Sequence, residues 1–349
     1  MTDASLLPAA NHSIPPASAL VDRFGRVHTD LRLSVTDRCT LRCTYCMPLD
    51  ATFRAREELL TDDECVRVAT VAARLGIRSI RVTGGEPLLR AGLAGLVARL
   101  VAIPGMEEVA LTTNGLLLAQ QAEGLFAAGL SRLNVSLDAL SEEVFERVAR
   151  AAGLERVLAG LAAAKRVGFR AIRINAVSIR GLTESEIVPL ARFCRGEGFH
   201  LRFIEFMPLD ADSTWSNEKV LSGAEVRGML EREVGPLLPR PRTDSSQPAV
   251  DFAWADGAGS VGFIDPVTAP FCGACDRLRL TADGQLRNCL FSTVEWDARE
   301  LLRSGGEGAA VDAALAALLR DCVQAKHAAH GIGAADFHKP QRAMYQIGG

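Results

Sequence analysis

No stretch of this 349-residue chain approaches the roughly 20 consecutive apolar residues that a membrane-spanning helix needs. Residues 1–20, although rich in Pro, Ala and Ser, have neither the basic start nor the apolar run of a signal peptide, so a cytoplasmic protein with a disordered leader is expected. A basic surplus is missing as well. Lys and Arg number 39 against 42 Asp and Glu, a formal net charge of −3, which argues against nucleic acid or an anionic membrane as partner. Any anion site must then come from locally placed arginines. Nor is a disulfide framework expected, because nine cysteines are an odd number in a large chain without secretory features. Cys65, Cys194 and Cys322 are scattered in helix-like segments and read as small buried hydrophobes. The other six form two triplets, Cys39, Cys43, Cys46 and Cys272, Cys275, Cys289.

What is present is a repeating strand–helix unit. Leu31-Arg-Leu-Ser-Val-Thr36 alternates strictly and runs into the first triplet. Residues 61–75 read as a helix, with Thr61 as N-cap, Glu64 completing a capping box and Gly76 as the stop. Strands are expected near 77–83, 108–113, 132–137, 170–177 and 200–206, with helices near 92–102, 117–128, 141–165 and 184–197. Six such units imply parallel strands joined by right-handed helical crossovers. Parallel strands covered on both faces are usually apolar throughout, yet here Arg81 and Thr83 share one face, as do Asn134, Ser136 and Asp138, and as do Arg173 and Asn175. The expectation is an α/β fold, an incomplete TIM-like (β/α)6 barrel open at one side, with a polar interior and its chemistry beyond the C-terminal strand ends. Residues 21–207 would form this barrel and 208–349 a C-terminal α+β extension. In that extension a helix is expected near 222–234, a linker through Pro248, strands near 250–255 and 259–264, and helices near 297–304 and 309–328. The last of these would be capped by Asp312 or the glycines before it.

Each cysteine triplet can hold an iron–sulfur cube and leave one iron open to a ligand that is not protein. Structural zinc would normally want a fourth ligand, and none stands near the first triplet. In the second, Asp283-Gly284 signals a hairpin. A three-residue loop, Ala282-Asp283-Gly284 with Gly284 left-handed, sets Cys289 across from Arg277, whereas a two-residue turn would set it across from Leu278. Cys275, Arg277 and Arg279 then share a face. Two guanidiniums beside an open cluster suit an anionic or carbonyl-rich substrate.

The C-x3-C-x2-C pattern with Tyr45 before its last cysteine, together with Thr83-Gly-Gly-Glu-Pro87, resembles the radical S-adenosylmethionine (SAM) superfamily. With the second triplet, its two arginines and the terminal Gly348-Gly349, the chain from about Arg32 onward resembles the family of molybdenum cofactor biosynthesis protein A, the GTP 3′,8-cyclases. The resemblance implies two [4Fe–4S] clusters, SAM cleaved to methionine and a 5′-deoxyadenosyl radical, and a ribose C3′ radical of GTP that attacks guanine C8. It implies Cys39, Cys43 and Cys46 as ligands of the cluster that binds SAM, and Cys272, Cys275 and Cys289 as ligands of the one that binds substrate. Tyr45, Gly85, Ser136 and Met207 match SAM contacts. Arg32, Arg81, Thr112 and Arg277-Leu278-Arg279 match GTP contacts, with Arg173 and Arg202 as phosphate partners and Arg277 and Arg279 also in the catalytic set. Arg173 stands where a lysine is expected, and Asp276 where many relatives have asparagine. Gly348 and Gly349 would enter the active site as a slender tail. A homodimer, an unidentified reductant protein and hand-off to cyclic pyranopterin monophosphate synthase are implied as well. The alternatives are a peptide-modifying radical SAM enzyme with an auxiliary cluster, a class that usually carries more C-terminal cysteines, and a binding module stabilised by two zincs.

Overall fold

The computed structural model describes residues 19–210, 212–335 and 337–348. Its first half alternates as the sequence predicts: β1 (Asp30–Ser34), α1 (Asp62–Arg74), β2 (Ser79–Thr83), α2 (Leu93–Val101), β3 (Glu108–Thr113), α3 (Leu118–Ala127), β4 (Arg132–Ser136), α4 (Glu142–Ala149), α5 (Leu154–Val167), β5 (Ile172–Ser178), α6 (Ile187–Glu197) and β6 (His200–Glu205). There follow α7 (Gly223–Glu233), β7 (Leu237–Pro239), β8 (Val250–Trp254), β9 (Ser260–Ile264), β10 (Arg277–Leu280), β11 (Gln285–Arg287), β12 (Trp296–Asp297), α8 (Ala298–Leu302), α9 (Gly308–Gln324) and α10 (Met344–Ile347).

All the strands join one sheet in the order β12-β11-β10-β1-β2-β3-β4-β5-β6-β9-β8-β7. The run from β10 through β1 to β6 and on to β9 is parallel, while β11, β12, β8 and β7 are antiparallel edges. Since β12 and β7 do not pair, the barrel stays open, as expected. Two strands from the C-terminal part extend the parallel set, so the second cysteine triplet stands on the same sheet as the first. The outward faces carry Leu31, Leu33, Ile80, Val82, Leu133, Val135, Ile172 and Ile174, buried against the helices. This period-two alternation leaves the interior polar. No helix among the described residues is long and apolar enough to cross a membrane.

Local signals decide several ends. Thr61 caps α1 and Glu64 closes the capping box, its carboxylate accepting from the Thr61 amide at 2.8 Å. Other segments depart from expectation. The helix expected over 141–165 is broken into α4 and α5, because Arg150 turns left-handed at φ 54° and ends α4. The segment read as a linker contains β7, an edge strand where proline is tolerated. Asp312 does not cap α9: it lies inside the helix and binds Arg67 at 2.8 Å and Arg74 at 3.1 Å, tying α9 to α1. The N-cap is Glu307. Of the leader, residues 1–18 lie outside the described residues, while Leu20 is buried with its amide donating to the Leu75 carbonyl at 3.1 Å.

The β10–β11 hairpin has the expected three-residue loop. Arg279 pairs with Arg287 and Leu280 with Leu286, a register that sets Cys289 level with Arg277. Gly284 is left-handed at φ 84°, and a Cβ there would lie 2.6 Å from the Arg299 Cβ. Gly284→Ala is therefore expected to lower stability by about 2 kcal/mol, from backbone strain and the clash together, read as a lower urea midpoint at unchanged slope.

Candidate active site

The first cysteine loop leaves the C-terminal end of β1 and is held from below by the end of β2. The Gly85 amide donates to the Thr36 carbonyl and the Glu86 amide to the Arg38 carbonyl, both at 2.7 Å. A Cβ on Gly84 would sit 2.6 Å from the Thr36 carbonyl oxygen, and one on Gly85 2.6 Å from that of Asp37. The close approach these glycines permit is thus to the cysteine loop itself. Glu86, fully buried, accepts from the Thr113 hydroxyl and the Asn114 amide at 2.7 Å, although burial pushes its carboxyl up to about 7. Asn114 in turn donates to Thr40 at 3.0 Å and approaches the Cys39 sulfur at 3.7 Å. Tyr45 donates its hydroxyl to Asp138 at 2.7 Å, and Asp138 also accepts from the Val177 amide at 2.7 Å. The loop, β4 and β5 are joined through that one carboxylate.

Two cavities follow the barrel axis. The mouth cavity, about 260 Å³, is lined by Cys39, Cys43, Tyr45, Cys46, Gly85, Thr112, Ser136 and Met207 together with Arg32, Arg81, Arg202, Arg277 and Arg279. The floor cavity, about 310 Å³, lies at the N-terminal strand ends and includes Arg78, Arg132, Arg173 and Asp276. Both share Arg32, Arg81, Arg202, Pro248 and Arg277, so they meet as two ends of one passage. Its wall is crowded with positive charge. Arg279, Arg32 and Arg81 are neighbours in register on β10, β1 and β2. Burial, then the Arg81 and Arg279 guanidiniums, hold Arg32 well below its ordinary pKa. Arg173 is brought to about 10 by burial and then by Arg202 and Arg81. The Nε atoms of Arg32, Arg81, Arg132 and Arg202 are buried without a hydrogen-bond partner. Only Glu108, 2.7 Å from Arg132, and Asp251, 3.5 Å from Arg202, form ion pairs with this set among the described residues.

The second triplet lines neither cavity; its neighbours Phe271, Arg277 and Leu290 line the mouth. Cys272 and Cys275 flank a single helical turn before β10, and Cys289 follows β11. Arg277 forks onto the Cys275 sulfur at 3.4 and 3.2 Å and stacks on Phe271. Lys326 reaches the same sulfur at 3.5 Å. Burial alone would raise the Cys275 thiol, but Arg277 and Lys326 bring it down to about 7. Main-chain amides donate to Cys39 from Leu41 and to Cys289 from Phe291, each at 3.4 Å. Cys275, with its two cations, is suited to be a thiolate ligand, whereas burial pushes the Cys39, Cys43, Cys46 and Cys272 thiols up. Among the described residues no three His, Cys, Asp or Glu side chains are drawn together as they would be around one metal ion. Three cysteines, with N–H donors at Cys39, Cys275 and Cys289, are in each case the donor set for a cube with one open iron.

The C-terminal tail returns to this mouth. Arg279 donates to the Gly348 carbonyl, and a Cβ on Gly348 would lie 2.6 Å from the Thr83 hydroxyl and 2.9 Å from the Ser34 Cβ. Gly349 lies outside the described residues. The tail is tied down by Arg342, which donates to both Asp283 oxygens at 2.9 and 3.0 Å and to Glu295 at 2.8 Å. Leu278 differs from its two neighbours: its side chain is fully buried in the outer core, paired with Leu31, so only its main chain can face the passage. Arg173 opens on the floor rather than the mouth. Sequence reasoning missed Lys326 and the Arg342–Asp283–Glu295 cluster, neither of which belongs to a motif of recognisable spacing. Cys65, Cys194 and Cys322 are buried, as expected.

Residues 33–194 match the family described as the Radical SAM superfamily, and residues 199–332 match Molybdenum Cofactor Synthesis C. A GTP 3′,8-cyclase of Rhodopirellula baltica is 50% identical over 335 residues, covering 95% of this chain and 92% of its own. Proteins of the same name from Mycolicibacterium smegmatis and Streptomyces coelicolor are 46% and 44% identical, over 96% and 95% of this chain and 93% and 97% of theirs. Among solved structures, Streptococcus suis SuiB bound to S-adenosylmethionine superposes with a TM-score of 0.58 at 15% identity. That match covers 79% of this chain but only 64% of SuiB, and carries the fold alone.

Replacing Arg342 by Met removes one side of a largely buried ion-pair cluster. Arg54, 2.9 Å from Asp283, still offsets part of the loss. The expected cost is about 2 kcal/mol in chemical denaturation, below the usual range for stripping a buried pair, together with faster carboxypeptidase trimming of the tail than in the unaltered chain.

Proposed function

The chain belongs to the radical SAM superfamily and, through relatives matched over nearly its whole length, to the GTP 3′,8-cyclases, and from that premise we propose how its own residues share the reaction. It is a radical SAM enzyme of molybdenum cofactor biosynthesis that converts GTP to (8S)-3′,8-cyclo-7,8-dihydroguanosine 5′-triphosphate, using two [4Fe–4S] clusters and SAM. When bound, the first cluster and SAM supply the radical that takes the ribose C3′ hydrogen, leaving methionine and 5′-deoxyadenosine, while C3′ bonds to guanine C8. The observation that carries the division of labour is a single cavity lined both by the first cysteine triplet and by Arg277 and Arg279.

In this reading Cys39, Cys43 and Cys46 hold the cluster that binds SAM, and Tyr45, Gly85, Ser136 and Met207 contact SAM itself. Fixing Tyr45 through Asp138 keeps the loop in one geometry, so binding energy is not spent on ordering it. Cys272, Cys275 and Cys289 hold the cluster that takes the guanine end of GTP. Arg32, Arg81, Thr112, Arg277, Arg279 and the Leu278 main chain receive the nucleotide, and Arg173 and Arg202 its phosphates toward the floor. A triphosphate adds negative charge to a passage whose guanidiniums outnumber lining carboxylates such as Asp30 and Glu108, and their forks fix its register. Arg173 meets it with a fork where a lysine would offer a point charge. Gly348 closes the mouth beside Thr83 and Arg279, and Gly349 is the proposed tip of the tail.

Residues 21–207 form the radical-generating unit and 208–349 the substrate-cluster unit. The family supports a cytoplasmic homodimer, reduced by a protein the chain does not identify, that passes its product to cyclic pyranopterin monophosphate synthase. The peptide-modifying alternative is set aside by the cyclase relatives at 44–50% identity.

After anaerobic reconstitution the protein is expected to carry roughly 8 irons with matching sulfide. With reductant, SAM and GTP it should form 5′-deoxyadenosine in step with GTP loss; SAM cleavage indifferent to GTP would refute the reading. Changing Cys272, Cys275 and Cys289 together to Ser should halve the iron and abolish cyclisation. Replacing both Gly348 and Gly349 by Ala should leave iron unchanged but largely stop turnover, since a side chain at 348 collides with Thr83 and Ser34.

A further inference from the structure

Lys326 follows the end of α9 and points its side chain back beneath β10. It is only 3% exposed and lines neither cavity, so it cannot touch the nucleotide. Its ammonium donates to the Arg277 carbonyl at 2.9 Å and to the Cys275 sulfur at 3.5 Å. Among the described residues no carboxylate forms an ion pair with it. The nearby Asp22 is engaged by Arg26 at 2.5 Å, and Arg26 spends its other nitrogens on the carbonyls of Cys272, His327 and Ala328. An ammonium buried without a counter-charge is costly, and proteins keep one only where something offsets it. The negative charges within its reach are those of the second cysteine triplet.

We infer that Lys326 is a positioning and charge-balancing residue of the second cluster, one that holds the Cys275 sulfur and the start of β10 in place and raises the cluster's reduction potential. The inference rests on the reading that Cys272, Cys275 and Cys289 hold a cluster. A fixed positive charge favours the more negative, reduced cluster, and an N–H···S bond draws electron density from the ligand sulfur. Both effects also make an open iron a better acceptor for a substrate lone pair. Arg277 touches the same sulfur, but it faces the passage and can turn toward substrate. Lys326 has no such freedom, because its second bond is to main chain.

The test uses the full-length chain with Cys39, Cys43 and Cys46 changed to Ser, so that only the second cluster is seen. Lys326→Met removes charge and hydrogen bond, Lys326→Gln keeps a donor without the charge, and Lys326→Arg keeps the charge. The readouts are iron content, the midpoint of an electron-paramagnetic-resonance redox titration, and the rate of iron release to a chelator. The expected result is a more negative midpoint for Met and Gln, iron release faster by roughly tenfold for Met, and partial recovery of the potential in Arg. Metal-free Lys326→Met should melt no lower than its metal-free parent, because an uncompensated cation has been removed. An unchanged midpoint and release rate in both Met and Gln would overturn the inference, as would a metal-free Met variant that melts well below its parent. If the parent itself binds no iron, the assignment of the second cluster fails, and the inference falls with it.

Discussion

Like charges set side by side on adjacent strands repel, and the inner wall of this barrel carries Arg279, Arg32 and Arg81 in register on three neighbouring strands. Arg132, Arg173 and Arg202 continue the positive surface toward the floor. Within a parallel sheet covered by helices, such side chains have few routes to water, and burial together with mutual repulsion already weakens their hold on protons. The arrangement persists because the outer faces of the same strands are buried in a continuous aliphatic core, which supplies the favourable free energy that the interior spends. A polyanion bound among them would relieve the repulsion, and its binding would then be linked to folding stability.

The chemistry at the mouth depends on how rigidly two loops hang from strand ends. The first cysteine loop has little secondary structure of its own. It is fixed from outside, by Gly84 and Gly85 packed against its entry, by Asn114 at Cys39 and Thr40, and by Asp138 at Tyr45. Glu86 extends this scaffold to β3 through Thr113 and Asn114. The glycine pair that resembles a cofactor loop is first of all a packing surface for the ligand loop.

The second loop is braced from the opposite direction. Arg26, near the start of the described residues, and Lys326, after the last long helix, both grip it through main-chain carbonyls. The hairpin below does more than reverse the chain: its Asp283 anchors Arg342, and through it the tail that ends against Arg279. Turn and tail are therefore joined by a chain of hydrogen bonds on the side of the mouth that carries the second triplet.

Much of this was legible in the residues. Strand–helix alternation, the polar inner face, the Thr61 cap and the Ala282–Gly284 loop are encoded within a few positions of one another, where periodicity and turn chemistry act directly. The two triplets were legible because thiolate spacing within a loop is itself local. What the sequence did not contain was adjacency between distant segments. That β9 and β10 would extend the parallel sheet, that Leu278 would turn to the core while its neighbours turn inward, that Asp312 would serve α1 rather than cap its own helix, and that Lys326 would be buried against Cys275 all depend on which surfaces close against each other. Local patterns specify the faces of each element and the ligand types each loop can offer. Only tertiary packing chooses the partner across hundreds of residues, because that choice is made by the shape and charge of assembled surfaces, not by any stretch alone.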